Sequence, residues 1–356
     1  MISEYFHPHW TGLAKAFLSL AHQLNDQGHK VSVLTTRFNP SLSRFENLGG
    51  LSIHRSEYII YFSRTHYSLR IIYDFVRLAR GADYIIVNSP FSNILPVSIL
   101  TRALGKKLII FHQGDLILAK HSGSRLANLA IERVFDISTI ISLWLADSHS
   151  TYSLDYAEHS RVMRHFIDKF IPVIPPIRVK ASDPGPDFKS KMDKLKDGSL
   201  LIGFAGRFVE EKGFDILLRA IPMVLSRYPQ ARFVFAGETN IFYEDFFAKN
   251  ADLVQSSENR LALLGLLAEP ELHYFYKSLD LFVLPSRSDC FALTQAEAAL
   301  CGVPVVVSDI PGARVLVQST QCGELARAED PGNLCEAICK VLSDKTKYLS
   351  GLAKVP

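Results

Sequence analysis

Residues 285–307 read PSRSDCFALTQAEAALCGVPVVV, and this stretch decides the fold. It begins where the apolar run Leu281 to Leu284 ends, as a chain does when it leaves a buried strand. Asp289 and Glu297 then stand at the start of a helical pattern, and Gly302-Val303-Pro304 turns the chain into a second apolar run. Strand, loop, helix, turn and strand in this order form the repeating unit of a parallel sheet. The spacing also suggests chemistry. Cys290, Phe291, Ala292 and Leu293 fall where backbone N–H groups at a helix N-terminus are expected to be unpaired, and such groups bind phosphate. Glu297 lies about one turn further in, where a carboxylate can accept two hydrogen bonds from a ribose diol.

Upstream, Gly206-Arg207-Phe-Val-Glu-Glu-Lys212-Gly213 sets two cations on the loop after another apolar run, Leu200 to Ala205. Fixed cations there suit a diphosphate leaving group, which gains negative charge as its bond breaks. Read together, the two loops describe a nucleotide-sugar site. Glu210 and Glu211 beside the pair leave open the plainer reading of a solvated charge cluster.

The same alternation extends along the chain. Leu13, Phe17, Leu20, Ala21 and Leu24 recur at helical spacing, Gly28 stops that helix, and Val31 to Thr36 is an expected strand. Tyr84 to Asn88 and Lys107 to Phe111 follow in the first half. Leu200 to Ala205, Arg232 to Ala236, Leu261 to Gly265, Leu281 to Leu284 and Val303 to Ser308 form the second series. Apolar runs alternating with helices predict an α/β protein with two doubly wound, Rossmann-like parallel-sheet domains. Ile174-Pro175-Pro176 and the polar stretch 182–199, expected as a solvated loop, mark the division. The expected organisation is residues 1–176, a linker over 177–198, and 199–356.

The motifs GRFVEEKG, FVFAGE and LDLFVLPSRSDCFALTQAEAALCGVPVVVSDIPG, in this order, resemble the donor half of family 4 glycosyltransferases. A looser resemblance in the first half rests on YFHPHWTG, QLNDQGHKVSVLTT, FHQGDL and VIPPI. The resemblance implies the GT-B fold, two such domains facing a cleft. It also implies a retaining transferase that moves a hexose-type sugar from a UDP- or GDP-linked donor to a saccharide or polyprenyl-linked acceptor, in surface polysaccharide assembly. Two other classes stay open: an epimerase or phosphorylase on the same fold, and a non-catalytic saccharide-binding relic.

By that resemblance the catalytic residues are His112, Arg207, Lys212 and Asp289. The donor is bound by Gly12, Gly206, Arg207, Lys212, Asp289, Cys290, Phe291, Ala292, Leu293 and Glu297. The chain departs from the family's pattern at several of these positions. Asp289 replaces a longer Glu, Ala292 replaces a Gly, and the loop at Pro8 to Gly12 keeps one glycine where the family has a Gly-rich turn. The first strand is short or missing, since only MISEYF precedes His7, and the chain stops soon after a helix expected over Leu334 to Leu342. His112 and Asp115 fall at the end of a buried strand, where open α/β sheets carry ligand groups.

Length and composition agree with two full cores: 356 residues, 48% hydrophobic and 21% charged. No apolar run approaches the roughly 18 residues of a membrane span, and 138–146 is the longest candidate. The start carries no export signal, so a cytoplasmic location is expected. The five cysteines show no metal-ligand spacing, and Cys335 and Cys339 read as small buried side chains on one helix. His7, His9 and Trp10 lack further ligands for zinc. No Asp-x-Asp occurs, so a metal-independent reaction without cofactor is expected, the charge being met by Arg207, Lys212 and the helix N-terminus. No Walker lysine loop, Ser-His-Asp order or hydride-cofactor Gly-x-Gly-x-x-Gly follows a strand. A net charge of +3 gives no case for nucleic acid. Arg64, His66, Arg70, Arg77 and Arg80, interleaved with apolar residues, read either as a peripheral contact with the inner face of an anionic membrane or as an amphipathic helix with a solvated face.

Overall fold

The computed structural model describes residues 1–9, 11–58, 60–62, 65–118, 124–174, 177, 179, 182–239, 241 and 244–355, with the side chains of 60–62 and 65–67 left aside. Trp10, Arg64, Pro175 and Pro176 lie outside the described residues, as do the side chains of His66 and Tyr67. The chain divides into two units, Met1–Pro176 and Ile177–Pro356.

In the first unit the chain runs α1 (Gly12–Asp26), β1 (Ser32–Thr36), β2 (Phe45–Leu48), β3 (Leu51–Ser56), a small hairpin of β4 (Ile60–Phe62) and β5 (Thr65–Tyr67), and α2 (Leu69–Ala79). It continues through β6 (Tyr84–Ser89), α3 (Ile94–Ala103), β7 (Lys107–His112), α4 (Arg125–Leu145), β8 (Ser148–Thr151), α5 (Leu154–His159) and β9 (Phe170–Pro172). Strands β6, β7, β8 and β9 are parallel neighbours, and β1 pairs with β3 in parallel while β2 pairs with β3 antiparallel.

The expected short first strand is present as a stub that joins these arrays. Ile2 bridges Leu34 of β1 and Val87 of β6, both in parallel. Its N–H donates to Ile86 O at 2.8 Å, its carbonyl accepts from Asn88 N at 2.9 Å, and Leu34 N donates to Met1 O at 2.9 Å. Ile2 is buried with Leu34, Val87 and Ile110 in one core. A few residues thus do a central strand's work, because hydrogen-bond partners lie on both sides.

The second unit contains α6 (Pro186–Lys196), β10 (Leu200–Ala205), α7 (Phe214–Arg227), β11 (Ala231–Ala236), α8 (Phe246–Lys249), α9 (Ala251–Ser256), β12 (Leu261–Gly265) and α10 (Glu269–Ser278). Then come β13 (Leu281–Leu284), α11 (Leu293–Leu300), β14 (Val305–Ser308), α12 (Val315–Thr320), β15 (Gly323–Ala326), α13 (Pro331–Ser343) and α14 (Leu349–Leu352). Six parallel strands lie in the order β12-β11-β10-β13-β14-β15. Strands β13 and β14 are buried at every position, as strands covered on both faces must be. The stretch expected as a solvated loop contains α6 instead. Pro186 stands at its first turn, where the missing N–H costs nothing, and Met192 is its one buried residue. Its other residues are so polar that composition alone hides it.

Strand order places the key loops. The chain winds outward from β10 through β11 to β12, and from β13 through β14 to β15 in the other direction. The loops following β10 and β13 therefore leave adjacent central strands at the point where the winding reverses, which is where open α/β sheets bind ligands.

Candidate functional site

Two glycines let these loops come close. Gly213 closes the first loop with φ +65°, and a Cβ there would lie 2.0 Å from Pro285 O. Gly237, after β11, has φ +143°, and a Cβ there would lie 1.8 Å from Gly206 O. Only glycine fits either contact. Gly206 and Arg207 begin the loop after β10, and Lys212 ends a short 3-10 turn, Glu210–Lys212. Arg207 is half-buried.

Lys212 and Asp289 meet. Lys212 Nζ donates to Asp289 Oδ2 at 2.5 Å, with 20% of the lysine side chain and 7% of the aspartate exposed. Burial by itself would lower the Lys212 ammonium, but the charges of Asp289 and Glu211 outweigh it and hold the group above its ordinary value. Asp289 Oδ1 accepts from Ala292 N at 2.8 Å, and Ser286 Oγ donates to Oδ2 at 3.5 Å. One correction follows: the Ala292 N–H, expected unpaired for phosphate, is already capped by Asp289. A shorter acid three residues before Ala292 can reach this N–H, as an N-cap side chain reaches the N–H three residues on.

Ala292 itself has φ +57° and ψ +69°, the left-handed region, immediately before α11. The backbone bend that glycine would make freely is kept here by a residue with a Cβ. Leu293 is the first residue of α11. Phe291 is buried beneath the loop. Burial, followed by the neighbouring Asp289 charge, pushes the Cys290 thiol well up, so it is no ready thiolate. Glu297 is 4% exposed, and Tyr276 Oη donates to its Oε2 at 2.8 Å. Burial and the Glu297 carboxylate push the Tyr276 phenol well up, which keeps it protonated as the donor.

Several residues that sequence reasoning passed over hold this arrangement. Arg287 makes a two-pronged pair with Asp215, Nη1 to Oδ1 and Nη2 to Oδ2, both at 2.8 Å, and its Nη1 also donates to Glu210 O at 2.7 Å. Its guanidinium thus pins the β13 loop to the β10 loop. Gly312, with φ +85°, lies so close to the Asp289–Cys290 peptide that a Cβ would stand 2.4 Å from Cys290 O. Gln295 Nε2 donates to Phe291 O at 2.8 Å and Ala313 O at 2.7 Å. Arg287, Asp215 and Gly312 all fall inside or just beyond the quoted motifs, so position in the motif was the signal available.

His112 and Gly12 belong to the first unit. His112 is buried at the end of β7, with Nδ1 3.1 Å from Ser89 Oγ and Nε2 3.0 Å from Asp115 Oδ1. Both ring nitrogens therefore have protein partners. Asp115 also accepts from Ser160 Oγ at 2.7 Å and Arg161 N at 2.8 Å. Burial alone would raise Asp115, but His112, Ser160 and the Arg161 N–H together lower it to about 2. Gly12 is the first residue of α1, capped by Thr11, and a Cβ there would meet nothing within 4 Å. The backbone does not demand glycine at that position. Among the described residues no group of three or more His, Cys, Asp or Glu is gathered as metal ligands.

Residues 10–168 match the family model described as Glycosyltransferase Family 4, and residues 199–344 the model described as Glycosyl transferases group 1. The gpi3 subunit of phosphatidylinositol N-acetylglucosaminyltransferase from Schizosaccharomyces pombe is 24% identical over 356 aligned positions, covering 97% of this chain and 72% of its own. The lipopolysaccharide core biosynthesis mannosyltransferase LpcC of Rhizobium leguminosarum is 31% identical over 149 residues, covering 41% of this chain and 42% of its own. Relatives matched over about half of this chain or less are spanned over less than half of their own length. Among solved structures, Anabaena HepE in complex with UDP-glucose superimposes with a TM-score of 0.73 at 17% identity, covering 99% of this chain and 92% of that one. At that identity the likeness is one of fold, and the fold of these neighbours is GT-B.

Proposed function

Because the chain belongs through both its halves to the group 1, family 4 glycosyltransferases of GT-B fold, we propose that it moves a hexose-type sugar from a nucleotide diphosphate to a saccharide or polyprenyl-linked saccharide. The observation that carries this reading is the meeting of the β10 and β13 loops at the reversal point of the second sheet, with Lys212 2.5 Å from Asp289 beside the start of α11. In the proposed reaction the bond from the anomeric carbon to the diphosphate oxygen breaks, a bond to the acceptor hydroxyl oxygen forms on the same face, and the hydroxyl proton passes to the departing diphosphate. Arg207 and Lys212 meet the charge that grows on the departing diphosphate, which stabilises the transition state more than the bound donor. Glu297 binds the ribose diol, Asp289 a hydroxyl of the transferred sugar, and no metal takes part.

Lys212 has to share its ammonium between Asp289 and the diphosphate. An ammonium with three donors can do so without losing either partner. His112, held by Ser89 and Asp115, offers a ring fixed in place. The donor is UDP- or GDP-linked in this reading, which the UDP-glucose complex of HepE supports. Surface polysaccharide assembly on the cytoplasmic side, with peripheral contact at the inner membrane face, is the proposed setting, and the printed names of the Schizosaccharomyces and Rhizobium relatives support an acceptor on or bound for a lipid. Incubation with a panel of nucleotide sugars and lipid-linked acceptors, followed by mass spectrometry, tests the reading. One hexose added per nucleoside diphosphate released is expected; an intact donor throughout the panel would overturn it.

A further inference from the structure

Helix α4 carries an apolar stripe on its outer face. Its buried residues are Phe135, Asp136, Thr139, Ser142 and Leu143, three of them polar, whereas Leu126 (79%), Val134 (63%), Ile137 (57%) and Trp144 (79%) are exposed, together with Leu129 and Ile141. At 100° per residue these six fall within an arc of roughly 140°, along a helix about 30 Å long. The inward polar groups are satisfied. Asp136 takes Arg161 Nε at 2.9 Å and Nη2 at 3.0 Å, and the two hydroxyls donate to carbonyls one turn back. A surface helix normally shows the opposite pattern, so the outer stripe needs a partner.

Charge indicates which partner. Helices α2 and α4 both pack against α3. Every acid in the three helices is drawn inward: Asp74 accepts from Ser56 Oγ at 2.6 Å, Glu132 accepts from Leu118 N at 2.8 Å, and Asp136 holds Arg161. The exposed charges of these helices are arginines: Arg70 and Arg77, both within 3.8 Å of Asp74, Arg133, 3.6 Å from Asp136, and Arg102 and Arg125. Asp147, just beyond α4, is paired with Arg102 and Lys107. Exposed Leu69 and Tyr73 on α2 and Ile99 on α3 add apolar area. Among the described residues no helix is long and apolar enough to cross a membrane. An apolar stripe with a tryptophan at one end, on helices whose own acids are turned inward and whose exposed charges are arginines, fits a helix lying in the headgroup layer of an anionic bilayer. Nucleic acid would leave the stripe uncovered.

We propose that the outer face of α4, extended by α2 and α3, is the surface by which this protein docks on an anionic lipid bilayer. The inference deepens the membrane contact proposed above and rests on that reading for the class of partner. Flotation of the full chain with phosphatidylcholine vesicles, with and without phosphatidylglycerol, tests it alongside tryptophan emission, since the chain has only two tryptophans. Partition onto the anionic vesicles is expected, falling with salt, with a blue shift that disappears in Trp144→Phe. Arg133→Gln lowers partition roughly five-fold, and Ile137→Asp combined with Trp144→Ala lowers it by about ten-fold or more. These side chains are exposed, so melting should be unchanged. Absence of partition by the wild type, or equal partition by the double variant, overturns the proposal; so does a wild-type dimer that the double variant loses, which would give the face to a second copy. Donor turnover measured in parallel separates the readings: intact turnover without vesicle binding sinks the docking face, and vesicle binding without turnover sinks the transferase.

Discussion

Lys212 carries the heaviest load of any single residue in the proposed site, because its charge is both half-buried and shared. Lys212→Ala and Arg207→Ala should each lower turnover by roughly two to three orders of magnitude, the cost of removing one stabiliser of developing charge, with a smaller effect on KM. Steady-state kinetics with near wild-type kcat in both variants would contradict the assignment. Asp115 lends itself to a pH test. Its folded value of about 2 lies below the ordinary 3.8, so its stabilisation is fully present above pH 3.8 and is lost as the pH falls through about 2. Asp115→Asn should therefore cost on the order of 2 kcal/mol at neutral pH. Chemical denaturation should show the gap between variant and wild type closing between pH 4 and pH 2; a constant gap would contradict it. The motif residues themselves were legible in the sequence, since Asp289, Lys212 and Glu297 stand at readable spacings. Their partners were not. Lys212 and Asp289 are 77 residues apart, and only the adjacency of β10 and β13 brings them together.

At the level of elements, the entry into α11 keeps an alanine in a left-handed conformation that costs a residue with a Cβ about 1–2 kcal/mol. Ala292→Gly should relieve part of this, raising stability by about 0.5–1 kcal/mol after the added freedom of the unfolded glycine is subtracted. Thermal melting would show a small upward shift, and a downward shift would mean that the Cβ makes a packing contact worth more than the bend. Strands with continuous apolar runs were readable to within one or two residues, because burial on both faces leaves little choice of residue type. Helix α6 was not readable, since Met192 is its only buried residue and the rest looks like linker. Helix α4 was not read as a helix; its apolar run at 138–146 stood only as the longest stretch weighed as a membrane span. Its polar side faces inward through the Asp136–Arg161 pair, and no periodicity can tell which face of a helix is covered.

For the molecule as a whole, two parallel-sheet units were legible from the alternation of apolar runs and helices. The joining role of the first few residues was not. Ile2 acts as a central strand only because β1 and β6 arrive on either side of it, and a one-residue bridge leaves no pattern in the sequence. In the proposed function the cations and helix start of the second unit drive sugar transfer with retention and without metal. Proton NMR of the product formed from an α-linked nucleotide sugar in excess chelator is the test. An α-anomeric signal on the acceptor, formed at the same rate as without chelator, is the predicted result. A β-anomeric product, or activity lost in chelator and restored by Mg²⁺ or Mn²⁺, would contradict it.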